Sequence, residues 1–209
     1  MNITKEHIEK VQDNWNRMIL ICEKITDDSI RSATLEMCAE LKNRLSVCPA
    51  STRLDFIGAY MGGLVETSLK TTKLMVDLNK AYPTPVELDS IILTGLFSQL
   101  GKIGDATHDY YLEKDSQWHN DRGIMFEINE KISKAVSIET RSIWWLTSSG
   151  IQLSLNEIHA ITSLGTMGQV VQGTEELYDT SLLAALLQHA TRVTSITSDS
   201  RKKSILDLR

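Results

Sequence analysis

The sequence predicts an all-α domain. Apolar residues recur at steps of three and four along most of the 209-residue chain, the spacing that places them on one face of a helix. No segment alternates apolar and polar residues as a half-buried strand would. The prolines, Pro49, Pro83 and Pro85, stand between periodic segments, where they end helices without breaking any.

Ile8, Val11, Trp15, Met18, Cys22 and Ile25 form the inward stripe of a first helix. After the polar break Thr26-Asp27-Asp28-Ser29, residues Ile30, Ala33, Met37, Leu41 and Leu45 form that of a second. Two amphipathic helices joined by so short a turn make a helical hairpin. Gly62-Gly63 opens a third helix reaching Asn79, with Leu64, Leu74 and Leu78 on a stripe beside Thr67 and Thr71. Val86 to Leu100 is apolar on nearly every side, the mark of a central helix buried all round. Residues 101–135 are rich in glycine, charge and aromatic side chains and read as an irregular excursion. Helices resume over Ile138–Ser148, Leu155–Ser163 and Leu177–Thr197, the last with Leu183, Leu186, Leu187, Ala190 and Val193 facing inward.

The composition, 42% apolar and 23% charged, is ordinary for a globular domain. A net charge of −5 argues against a general nucleic-acid partner, whose phosphates call for a basic surface. The short cluster Arg201-Lys202-Lys203 is read as a solvated tail. Cys22, Cys38 and Cys48 are odd in number and widely spaced, which suits reduced thiols rather than a disulfide scaffold or zinc knuckle. The first turns carry charges throughout, with no apolar leader, and the longest apolar runs are far too short to span a bilayer. A cytoplasmic protein without a membrane partner is expected.

Two segments carry a family resemblance. Phe56-Ile57-Gly58-Ala59-Tyr60-Met61-Gly62-Gly63-Leu64-Val65-Glu66-Thr67-Ser68-Leu69 and Gly95-Leu96-Phe97-Ser98-Gln99-Leu100-Gly101-Lys102-Ile103-Gly104-Asp105 resemble the metal core of the HD-domain phosphohydrolases, F-H-G-A-Y-P-G-G-L-V-E-H-S-L and G-L-F-H-D-L-G-K-I-G-D. Weaker likenesses extend it over residues 45–200: Cys48 to Thr52, Tyr110-Tyr111 with Trp118-His119 and Gly123, Thr140 to Leu146 with Gly150 to Ser154, and Leu186 to Ser195. The match is strongest for the subgroup common in bacteriophages. It implies a helical bundle that brings metal ligands from several helices to one point.

The ligands themselves are missing. Ile57 and Thr67 stand where the family has histidines, Ser98-Gln99 replaces the His-Asp pair, and Thr191 replaces the last aspartate. A divalent cation needs neutral imidazoles and ionised carboxylates, and the bound metal then activates water and polarises phosphoryl groups. An alkyl chain, three hydroxyls and one amide would leave a dication almost uncompensated after it had shed its hydration shell. No metal, no other cofactor and no catalytic residue is expected. The hydroxyls and amide are expected to form a quiet, uncharged patch, filled by side-chain hydrogen bonds or ordered water.

Other polar residues were weighed as alternatives. His108, Asp109, His119 and Asp121 could form a relocated metal site, but irregular backbone at that spacing reads as a polar loop. His159 and His189 are read as surface or satisfied core residues. Glu66 neighbours Thr67, and one residue turns it about 100° away. Lys102 and Arg141 could contact a phosphate without metal; as framework residues, structural salt bridges are the plainer reading. Gly165-Thr166-Met167-Gly168-Gln169 lacks phosphate-loop spacing, and Ser98 has no base with a triad-like signature.

The expectation is therefore an HD-domain-like helical bundle with an N-terminal helical hairpin: residues 1–48 the hairpin, 49–199 a degenerate HD-like domain, 200–209 a polar tail. Its expected role is that of a catalytically inactive, phage-encoded homologue in the host cytoplasm, acting as an interaction or structural subunit on an unidentified protein partner or a second copy of itself. The alternatives are a metal-free binder of a nucleotide or other phosphorylated ligand in the former cleft, and a phosphohydrolase with a relocated metal.

Overall fold

Thr4 starts the first helix, its Oγ1 accepting a hydrogen bond from the His7 amide. The computed structural model describes residues 4–114, 116–165 and 181–196. Helix α1 (Lys5–Cys22) buries Trp15, Met18 and Cys22, with Ile25 just beyond its end. Ile8, expected on the same stripe, lies beyond the edge of the core and is exposed. Asp27 caps α2 (Asp28–Leu45) by accepting from Ile30 N, so Asp28 and Ser29 of the expected break belong to the helix. The α1–α2 turn is held from outside by Asp89, which accepts from Thr26 N, Thr26 Oγ1 and Asp27 N at 2.8–3.1 Å.

Helix α3 (Gly63–Asn79) departs from the expected stripe. Its buried line runs through Leu64, Thr67, Ser68, Thr71, Thr72 and Met75, while Leu74 and Leu78 are only partly covered. Small hydroxyl side chains can be buried there because they donate one turn back: Thr67 Oγ1 to Gly63 O at 2.6 Å and Thr72 Oγ1 to Ser68 O at 2.8 Å. The small face lets α4 (Leu88–Phe97) come close, and a Cβ on Gly95 would lie 2.6 Å from Thr72 Oγ1. Every residue of α4 from Ile91 to Phe97 is buried, as its all-round apolarity predicts.

A 3-10 turn (Leu100–Ile103) follows, then the short strands β1 (Tyr111–Glu113) and β2 (Phe126–Ile128), paired antiparallel with Tyr111 opposite Ile128. Between them lies the one-turn helix α5 (Gln117–Asn120). The irregular excursion expected here is thus partly ordered into a hairpin. Three-residue strands are too short for alternation to register in the sequence. Helices α6 (Ile138–Ser148) and α7 (Leu155–Ser163) match their expected bounds. A capping box at Ser154 and Glu157 starts α7, and the buried Glu157 carboxylate also accepts from Ser90 on α4. Helix α8 (Leu182–Ile196) begins after Ser181, whose hydroxyl accepts from Ala184 N, so it starts later than expected. Residues 177–180 and 197 of that expectation, and the tail 200–209 with its basic cluster, lie outside the described residues.

Two apolar clusters fill the fold. One joins α1, α2, α4 and α6 around Met18, Met37, Leu93, Phe97 and Leu146; the other joins α3, α4, α7 and α8 around Met75, Ile91, Ala160 and Leu187. Helix α4 contributes to both.

Candidate functional site

The positions compared with metal ligands lie at helix ends and on facing helices. Ile57 is in the turn before α3, and its carbonyl accepts from Ser51 Oγ at 2.8 Å. Next to it, Gly58 passes so close to Gly63 that a Cβ on Gly63 would stand 2.1 Å from Gly58 O. This contact seats the 50–58 turn against the first turn of α3, beside Thr67. Ser98 ends α4 and is buried, with its amide donating to Thr94 O. Gln99 leads into the 3-10 turn and is half-buried. Thr191 lies on α8, which packs along α3, where the Thr71 and Thr194 hydroxyls stand 3.5 Å apart.

Among the described residues these groups make no hydrogen bonds to one another. Thr67 spends its hydroxyl on its own helix, and the buried Thr191 Oγ1 has no hydrogen-bond partner among the described residues. Glu66 points away, as its helical phase requires, and its carboxylate joins Lys10 at 2.7 Å and Lys70 at 2.8 Å. Burial acts to raise the Glu66 carboxyl, but the two lysines hold it below the usual carboxylate range.

The four residues weighed as a relocated site disperse. His108 Nδ1 pairs with Thr107, Asp109 with Arg44, His119 Nδ1 with Ser116 and Asp121 with Gln117. Among the described residues no group of three His, Cys, Asp or Glu converges as a metal site. His159 and His189 are on the surface.

Arg141 is a structural residue, though not through a salt bridge. Its buried guanidinium donates to Gly101 O at 3.2 Å, Ser133 O at 3.3 Å and Val136 O at 2.5 Å, and lies over the Tyr110 ring. Gly101 is dictated by the same contact: a Cβ there would sit 2.2 Å from Ile138 O. The 3-10 turn thus lies directly on α6, and Gly101 N donates to Ser142 Oγ.

Lys102, next in sequence, points the other way. It lines a cavity of about 250 Å³ between the end of α2, the 47–49 segment, the 3-10 turn and the β-hairpin. Its Nζ donates to Ala50 O at 2.6 Å, and the Tyr111 hydroxyl donates to the same carbonyl at 3.3 Å. Among the described residues it makes no salt bridge. Burial pushes the Lys102 ammonium down to about 8, against the opposing influence of Cys48 and Glu139. Burial also pushes the neighbouring Cys48 thiol up to about 12, despite Lys102, and the Tyr111 phenol above its usual range. At neutral pH the cavity therefore holds an ammonium, a neutral thiol and a neutral phenol.

Arg44 braces the far side of this cavity. It donates Nε to Asp109 Oδ1 at 2.7 Å, Nη1 to Asp105 O, and Nη2 to Ile103 O and His108 O. Nothing in the sequence marks Arg44 or Tyr111 as partners of Lys102. They lie 58 and 9 residues away, and only the return of the hairpin onto the end of α2 joins them. Arg141 and the five positions compared with metal ligands are not among the residues lining the cavity. No protein-family model, curated protein or solved structure matches the chain.

Proposed function

We propose that this chain is a catalytically inactive relative of the HD phosphohydrolases, encoded by a bacteriophage, that works in the host cytoplasm as an interaction or structural subunit. The observation that carries this reading is Thr67. At a position where the family has a histidine, its hydroxyl closes on Gly63 O at 2.6 Å, so the helix satisfies the group and no cation is needed to hold it. Ile57, Ser98, Gln99 and Thr191 add neither charge nor imidazole. Exposed Leu54, Phe56 and Trp118 supply apolar surface on adjoining segments, tied by the Leu54 N to Gly123 O hydrogen bond, and such surface is what a protein partner covers.

The alternative of a phosphate held in the former cleft by Lys102 and Arg141 draws less support, because Arg141 is committed to backbone carbonyls. A relocated metal draws less again, since His108, His119 and Asp121 each pair with a near neighbour in the chain and Asp109 pairs with Arg44.

The test is an assay of the purified chain against nucleoside mono- and triphosphates, cyclic nucleotides and nucleic acid, with Mn²⁺, Mg²⁺, Co²⁺ or Ni²⁺ added. We expect no metal-dependent turnover and no stoichiometric metal by elemental analysis. Turnover above about 0.1 s⁻¹, modest for an enzyme, would overturn the reading.

A further inference from the structure

Lys102 is an ammonium at a cavity wall with no carboxylate in contact. Lys102 is half-buried, and withdrawing an ammonium even partly from water without a carboxylate in contact is unfavourable. Of its three N–H donors, the Ala50 carbonyl takes one. The other cation of the cavity, Arg44, is neutralised by Asp109 and turned onto three carbonyls. Apart from the amide of Asn43, much of the remaining wall is apolar or aromatic, including Val47, Pro49, Met61, Tyr111 and Phe126.

We propose that this cavity binds a small organic carboxylate with a flat apolar body. The carboxylate accepts hydrogen bonds from the free N–H groups of Lys102, and the body lies against Met61, Tyr111 and Phe126. Among the described residues Lys102 is the lining cation with no carboxylate in contact, and a single such ammonium matches a single carboxylate. About 250 Å³ lies just below the usual range for drug-sized ligands, so the occupant has on the order of ten non-hydrogen atoms. The site is separate from the former metal cleft, and the proposal holds whether or not the chain has a protein partner.

The full chain is titrated at pH 7 with benzoate, with benzyl alcohol as its neutral counterpart, and with inorganic phosphate. Binding is followed by NMR at the Met61 methyl and the Tyr111 ring. We expect benzoate to saturate both signals with a Kd of about 10 mM or tighter, and benzyl alcohol to bind about tenfold more weakly or not at all. Lys102→Met should weaken benzoate about tenfold or more, by removing the charge-assisted hydrogen bond. Val47→Trp, at a position 42% exposed on the cavity mouth, should block benzoate while leaving Lys102 in place, and it decides the matter if Lys102→Met fails to fold. The proposal is overturned if benzoate leaves Met61 and Tyr111 unmoved, if folded Lys102→Met or Val47→Trp binds it undiminished, or if phosphate or benzyl alcohol binds there as tightly as benzoate.

Discussion

Single residues decide what the interior can do. Lys102 and Arg141 both flank the Gly101 turn, and both were weighed as ligand contacts, yet they have different fates. Arg141 can spread its charge over several carbonyl oxygens because its guanidinium presents a rigid fork of donors. Lys102 is a point charge and reaches one. It should titrate near 8 in an NMR titration, below the 10.4 of a lysine in an unfolded chain. Between these values the unfolded chain holds the Lys102 proton and the folded chain has released it. The contribution of Lys102 to stability therefore rises with pH through that window and is least favourable below about 8. Cys48 acts in the opposite sense above its ordinary pKa, because its folded thiol keeps a proton that the unfolded chain loses. The clean measurement is the difference between the native chain and Lys102→Met, which should shift toward the native chain from pH 8 to 10.5. A difference that is flat with pH would contradict the buried-ammonium reading.

Between elements, the contacts that position the site are close backbone approaches and carboxylate clamps. Gly101→Ala would drive a methyl group to 2.2 Å from Ile138 O, and the obstacle is helix backbone that cannot rotate away. We expect a loss of about 3 kcal/mol, the upper part of the range for overpacking, measured by urea denaturation. Asp89 clamps the α1–α2 turn onto the start of α4. Burial acts to raise its carboxyl, but donation from Thr26 and Asp27 holds it below the usual carboxylate range. A lowered folded pKa means that the stabilisation is full above the ordinary value near 3.9 and fades as pH falls through the lowered one. Asp89→Asn should cost about 1 kcal/mol at pH 7, the lower part of the range for such hydrogen bonds because the carboxylate is partly open to water. The cost should shrink as the pH falls through that lowered pKa and the native carboxyl is itself protonated; a cost that persisted in strong acid would point to a packing effect.

Across the whole molecule, α4 belongs to both apolar clusters, and the hairpin of α1 and α2 packs into the one that also holds Leu93, Phe97 and Leu146. Residues 4–48 and the rest of the described residues thus share a core. Unfolding in urea should show one transition, coincident by far-ultraviolet and tryptophan signals. Trp15 reports from the hairpin, and Trp144 and Trp145 report from α6. Two separated transitions would mean that the hairpin folds independently.

Helix positions were legible because a repeat of three and four is local: Ile138–Ser148 and Leu155–Ser163 could be read from neighbours along the chain alone. So could the absence of metal-binding side chains at Ile57, Thr67, Ser98, Gln99 and Thr191, since that is a matter of residue identity. Burial of α3 through its threonines was not legible, because a hydroxyl looks polar until a carbonyl one turn back accepts its proton. The Lys102 cavity was hidden for a longer-range reason. Its charge has meaning only once Arg44 takes Asp109, Arg141 takes the carbonyls on the far side of Gly101, and Tyr111 returns on the β-hairpin to share Ala50 O. Periodicity records which face of a helix is buried. Which charge is left without a partner depends on where distant segments meet, and only the tertiary structure decides that.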